Sequence, residues 1–219
     1  MGHSTQSGVQ SQSAGSPFPD LQADEVLAAL MDQGLQASQA GQSQAAIAAW
    51  QTAAQRAVNP TRPYVLIASE YASLGNFDAA QQWFTLALIA DPENLIARYQ
   101  LGLLQYTSAK VEGAFLTWAP LLQSRADHPL ASALAHFVNA FVSLTEGNHQ
   151  QVHALFRTGM DLLPQGHPLA ADAQRIIDQI SVSPATDESE LQPVAGLSPD
   201  EDRPGGTHYL IANYGRSAD

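Results

Sequence analysis

The sequence predicts an all-α fold: a solenoid of about four helix-turn-helix repeats closed by a C-terminal capping helix, with a flexible tail on each side. Three observations carry this reading. A pattern of small and large residues returns every 34 positions through the middle of the chain. Gly41, Gly75 and Gly147 fall where paired helices must turn, and positive φ is cheap for glycine. The final periodic stretch, "HPLAADAQRIIDQI", sets Leu169, Ala173, Ile176, Ile177 and Ile180 on one helical face.

The elements follow in chain order. Residues 1–21 are polar and small, and a disordered lead-in is expected there. They show no charged n-region before an apolar core, so no secretion signal is expected, and Gln6 stands where a myristoylation signal needs Ser or Thr. The repeat domain is expected over 22–182. Its second repeat, about 61–94, is the clearest. Ala68, Gly75, Ala80 and Ala87 alternate with the larger Tyr64, Ile67, Tyr71 and Phe84, and Pro92 closes the unit. Thirty-four residues earlier, in the repeat at about 27–60, stand Leu30, Gly34, Gly41, Ala46, Trp50 and Ala53, with two residues added before Pro60. Thirty-four residues later, in the repeat at about 95–128, stand Leu101, Gly102, Ala114, Trp118 and Leu121. A fourth copy, about 133–166, needs a slip of four residues to align Asn139, Ala140, Gly147, Val152, Phe156 and Pro164, and carries Gly159 where the others have a larger residue. The capping helix is expected at 167–181. Pro120 lies inside a predicted helix, where a missing N–H should kink it, so the fourth repeat is expected to sit out of register with the first three.

On these residues the chain resembles the tetratricopeptide repeat family over roughly 22–182. The resemblance implies paired helices in a superhelix whose first helices line a concave, peptide-binding groove. Carried onto this sequence, the groove positions are Met31, Leu35 and Ser38; Val65, Ser69 and Ala72; Tyr99, Leu103 and Tyr106; and Phe137, Phe141 and Leu144. They are mostly apolar and aromatic. Members of the family that clamp a C-terminal carboxylate use lysine, asparagine and arginine, whereas Met31, Leu35 and Leu66 occupy the corresponding places here. An apolar peptide or an amphipathic helix of another protein is therefore the expected ligand.

Composition narrows the alternatives. The formal charge is -12 and Lys110 is the only lysine, so no basic footprint for nucleic acid or anionic lipid is expected. No apolar run approaches the roughly 20 residues of a membrane span, so no membrane insertion is expected, and the cytoplasm is the expected compartment. The absence of cysteine excludes disulfides, thiolate catalysis and Cys-based zinc sites. His149 and His153 are four apart on a predicted helix but lack further ligands at a metal-site spacing, so no metal or other cofactor is expected. Neither a phosphate-cradling glycine loop nor a G-x-S-x-G elbow occurs. The expected function is a non-catalytic scaffold or adaptor. Its alternatives are a secretion-type chaperone that shields apolar client segments and, from another class, a hydrolytic or metal-dependent enzyme.

Residues 183–204 read as an acidic flexible linker, and 205–219 as an apolar motif containing His208, Tyr209, Leu210, Ile211 and Tyr214. The 27 steps from Ile180 to Thr207 span about 29 Å as a coil, so the motif can reach the groove and compete there with a partner. The alternatives for the motif are recognition by another protein as a linear motif and an idle tail.

Overall fold

The computed structural model describes residues 19–123 and 128–182. Among these residues the fold is all-α, with nine helices and no strand. They are α1 (Pro19–Gln39), α2 (Ser43–Arg56), α3 (Thr61–Ser73), α4 (Phe77–Ala90), α5 (Leu95–Thr107), α6 (Val111–Leu122), α7 (Pro129–Thr145), α8 (His149–Asp161) and α9 (Pro168–Val182). Helix α1 begins at Pro19, inside the segment expected as a lead-in. The most extensive packing is within α1/α2, α3/α4, α5/α6 and α7/α8. Each pair then packs on the next in chain order, α8 receives α9, and α5 also touches α7. The chain is thus a row of helix hairpins whose contacts are nearly all between neighbours.

The hairpin turns share one geometry. Gly41, Gly75, Ala109 and Gly147 adopt left-handed φ of 71°, 71°, 59° and 74°. In each turn the next residue's N–H reaches back to a carbonyl five residues before it: Gln42 to Ala37, Asn76 to Tyr71, Lys110 to Gln105 and Asn148 to Ser143, at 2.8–2.9 Å. These bonds satisfy carbonyls that the helix end leaves open, and they need a left-handed residue to form. Positions 41, 75 and 109 are 34 apart, and the fourth turn comes 38 residues after the third. Those four extra residues lie at the start of α7, which has 17 residues where α3 and α5 have 13. His128 caps this longer helix by accepting the Ala131 N–H at 3.3 Å, and Pro129 occupies its first turn, where no N–H is needed. Pro120 lies in the last turn of α6, and the Gln123 N–H closes a tight bond to its carbonyl at 3.2 Å. The proline coincides with the end of the helix, so no second half of a helix is bent by it.

In the first and third hairpins a tryptophan of the second helix sits on a glycine of the first; in the second and fourth, phenylalanine and alanine hold the equivalent positions within one apolar cluster. Trp50, Phe84, Trp118 and Phe156 are all fully buried. Their opposite numbers, by the same 34- and 38-residue steps, are Gly34, Ala68, Gly102 and Ala140. Both tryptophans face glycine because the indole leaves no space: a Cβ on Gly34 or Gly102 would overlap the ring. That close approach lets the Trp50 indole N–H donate to the Met31 carbonyl at 3.3 Å and the Trp118 N–H to the Tyr99 carbonyl at 2.9 Å. Phenylalanine has no N–H to satisfy and is smaller, and alanine fills the difference. Gly159 repeats the device in α8, where a Cβ would strike the Phe137 ring.

A candidate interaction surface on the outer helices

The first-helix residues expected to line an open groove are core residues. Met31, Leu35, Val65, Ser69, Tyr99, Tyr106, Phe137 and Phe141 are all buried, as is Leu66. Leu103, Ala72 and Leu144 are half-buried, and Leu103 and Leu144 pack against the largest apolar cluster. Ser38 is half-buried and donates its hydroxyl hydrogen to Glu70 at 2.7 Å, linking α1 to α3. Met31 and Leu35 are taken up by a cluster with Trp50 and Leu66, and Val65 by one with Phe84 and Leu101, while on α5 and α7 the reason is ring size. Tyr106 meets Phe141 with ring centroids 4.9 Å apart, and Tyr99 meets Phe137 at 6.0 Å. Trp118 stacks on Phe141 at 5.2 Å, and Phe156 closes the group edge-on at 5.5 Å from Phe141. Large rings on α5 and α7 fill the space between those helices, and burying them is worth more than leaving them to a ligand. The motif residues His208, Tyr209, Leu210, Ile211 and Tyr214 lie outside the described residues.

Of the large apolar side chains that face water, Phe77, Leu86, Ile89, Leu116 and Leu122 lie on α4 and α6, and Val26, Val58, Leu74 and Leu162 lie elsewhere. Ile89 is 71% exposed and Leu116 77%; Leu86, one turn before Ile89 on α4, and Leu122, at the end of α6, are exposed as well. The outward residues of the flanking second helices differ in kind. On α2 they include Gln44, Gln55 and Arg56; on α8, His149, Gln150, Gln151, Arg157, Thr158 and Asp161. Helices α4 and α6 therefore add exposed apolar side chains to an outer side that also carries Asp78, Gln82, Thr85 and Glu112. Sequence reasoning missed this surface, although "FTLALIA" and "AFLTWAPLL" lack the polar face that "SQAAIAAWQTAAQR" shows.

Polar clamps hold these two helices together. Lys110, capping the start of α6, donates to Gln81 of α4 at 3.1 Å. Arg98 donates to the Pro92 carbonyl just beyond α4 at 2.6 Å and to the Thr117 carbonyl of α6 at 3.4 Å. One guanidinium thus brings the end of α4, three residues past Ile89, to the residue that follows Leu116. The Thr117 hydroxyl in turn donates to Gln105 of α5 at 2.7 Å. Exposed Glu93 and Glu112 stand on the same two hairpins.

Titratable groups with perturbed behaviour lie elsewhere, at the α9 end. Burial pushes the Asp172 carboxyl up to about 6, against the opposing pull of Arg175, whose guanidinium is 3.0 Å away. Burial likewise raises the Tyr99 phenol, and the charge of Asp172 adds to that, so α9 lies within electrostatic reach of the aromatic cluster. Burial lowers the His167 imidazole. His136 keeps its Nδ1 buried without a hydrogen-bond partner among the described residues. His149 is exposed and His153 half-buried, and among the described residues no three His, Cys, Asp or Glu side chains converge as metal ligands would. No helix among these residues is long and apolar enough to cross a membrane. No protein-family model matches the chain, and no curated protein is significantly similar to it.

Proposed function

We propose that the chain is a non-catalytic protein-binding module of the tetratricopeptide type, and that it holds an apolar segment of a partner against the outer face of α4 and α6. The repeat assignment draws support from the 34-residue recurrence of the left-handed turn residue and from the tryptophan-on-glycine seat that returns after two such steps. The observation that carries the function is the exposure of Leu86, Ile89, Leu116 and Leu122 on two consecutive hairpins clamped by Arg98 and Lys110. Single exposed leucines are common on protein surfaces and need no explanation, but a group of them on adjoining elements marks an interaction site. Complementary ligands are an apolar extended peptide or one face of an amphipathic helix. The partner class is that inferred from the sequence. Its seat moves from the first helices, whose rings are spent on the core, to the second.

Selection from a displayed peptide library against the full chain tests this. Enriched peptides should be rich in Leu, Ile, Phe or Trp, and Leu116→Asp or Ile89→Asp should weaken their binding at least tenfold, since each places a charge in the contact. Failure to enrich any such peptide, or binding indifferent to both substitutions, refutes the reading.

A further inference from the structure

We propose that the chain's own segment from His208 to Tyr214 occupies the outer face of α4 and α6 when no partner does. The proposal rests on reading that face as a binding surface. Four further observations lead to it. First, the first-helix positions that an apolar segment was expected to enter are filled by Tyr99, Tyr106, Phe137 and Phe141, so those positions have no vacancy. Second, the segment supplies Tyr209, Leu210, Ile211 and Tyr214 within six residues, a composition that matches the apolar side chains bared on α4 and α6.

Third, the tether is long enough. Helix α9 ends at Val182 and packs on α8, α8 on α7 and α7 on α6. Three interaxial steps of about 8–10 Å make roughly 24–30 Å from α9 to α6. The 25 residues from 183 to 207 span about 27 Å as a coil. At such a match the tether holds the segment at an effective concentration on the order of millimolar, so a contact of low intrinsic affinity is well populated. Fourth, charge separates tether from motif. Residues 183–204 carry Asp187, Glu188, Glu190, Asp200, Glu201 and Asp202 against Arg203 alone and favour water. The segment from His208 to Tyr214 instead carries no Asp, Glu, Lys or Arg, so no like charge opposes its approach to an apolar surface. A partner displaces the segment once its concentration divided by its Kd exceeds the tethered concentration divided by the segment's own Kd, which makes the segment a reversible cover.

Because the chain has no cysteine, disulfide trapping reads this contact without background. Two full-length variants are compared: Ala212→Cys with Leu116→Cys on α6, and Ala212→Cys with Ala154→Cys on the exposed face of α8. A wandering tail meets α8 more often, because α8 packs on α9, the helix that carries the tether. Docking predicts the reverse: an intramolecular bond to position 116 forming at least tenfold faster than to 154. Adding Tyr209→Ser, Leu210→Ser and Ile211→Ser should erase the preference. Equal rates, a faster reaction at 154, or a covalent dimer as the main product each overturns the proposal. In a second arm, a peptide selected on the face is titrated against the full chain with and without the three serine substitutions. About tenfold tighter binding to the substituted chain supports the cover, and equal affinity overturns it while leaving the binding face intact. If no peptide binds yet the 116 preference persists, the docking stands and the partner-binding role falls.

Discussion

The first and third hairpins solve the same packing problem as the second and fourth with different parts. In the first and third, a tryptophan lies on a glycine and ties its indole N–H to a backbone carbonyl of the opposite helix. In the second and fourth, a phenylalanine occupies the equivalent place and an alanine supplies the missing volume. The two solutions bury a ring of full size in a close-packed seam, yet they are not interchangeable part by part. A small residue in a helix is ordinarily a weakness, because glycine lowers helix stability by about 1 kcal/mol relative to alanine. Under Trp50 and Trp118 that loss is accepted because nothing larger fits.

The strongest way to break the comparison is to move one part alone. Gly102→Ala should destabilise by about 3 kcal/mol, since the new methyl group overlaps the Trp118 ring in a packed core. Ala68→Gly, the reverse change under Phe84, should cost only about 1–2 kcal/mol. Urea denaturation midpoints compare the two, and equal losses would show that the seats do not differ as described. Trp118→Phe should cost about 2 kcal/mol from the vacated volume and the lost bond to Tyr99. Combined with Gly102→Ala it converts the third hairpin to the second type, and the double variant should recover at least about 1 kcal/mol relative to the sum of the single changes.

The third hairpin also differs from the first in what lies near its tryptophan seat: Tyr99, whose carbonyl receives Trp118, feels the charge of Asp172 on α9. Burial raises that carboxyl to about 6, so the folded chain holds the proton more firmly than the unfolded chain does. Its favourable contribution is therefore complete below about pH 4, the unfolded value, and is lost as the pH rises through about 6. Asp172→Asn should raise stability at pH 7.5 by on the order of 1–2 kcal/mol and leave it nearly unchanged at pH 3.5. Thermal melts at the two pH values check the sign.

A smaller effect sharpens the comparison at the turns. Three use glycine and one uses Ala109, at φ 59°, where a Cβ is strained. Ala109→Gly should stabilise the chain by about 1 kcal/mol, visible as a rise of a few degrees in melting temperature. Smallest of all, Leu116→Asp should change stability by no more than about 0.5 kcal/mol, because the side chain stands in water.

Much of this molecule was legible in the chain. The 34-residue spacing of Gly41 and Gly75, and of Trp50, Phe84 and Trp118, implies hairpins of one length whose helices meet at one place, whereas the turn at Ala109 carried no glycine to mark it. Periodicity reports such facts because each depends on contacts within a hairpin, and every hairpin repeats them. The faces were less legible. Met31, Val65, Tyr99 and Phe137 occupy equivalent places in their helices, and a repeat pattern alone cannot tell whether that row is open or filled. For the last two the answer lies in the pairing of α5 with α7, whose rings close on one another across 38 residues of chain, as in Tyr99 with Phe137. The bare outer face of α4 and α6 has the same origin. Leu86, Ile89, Leu116 and Leu122 lie off the buried stripe of their helices, yet they are as apolar as core residues, and only the three-dimensional arrangement shows that no later hairpin covers them. Local repetition determined the elements and their partners, whereas exposure was decided in tertiary structure, because it depends on which hairpin arrives next and how large its side chains are.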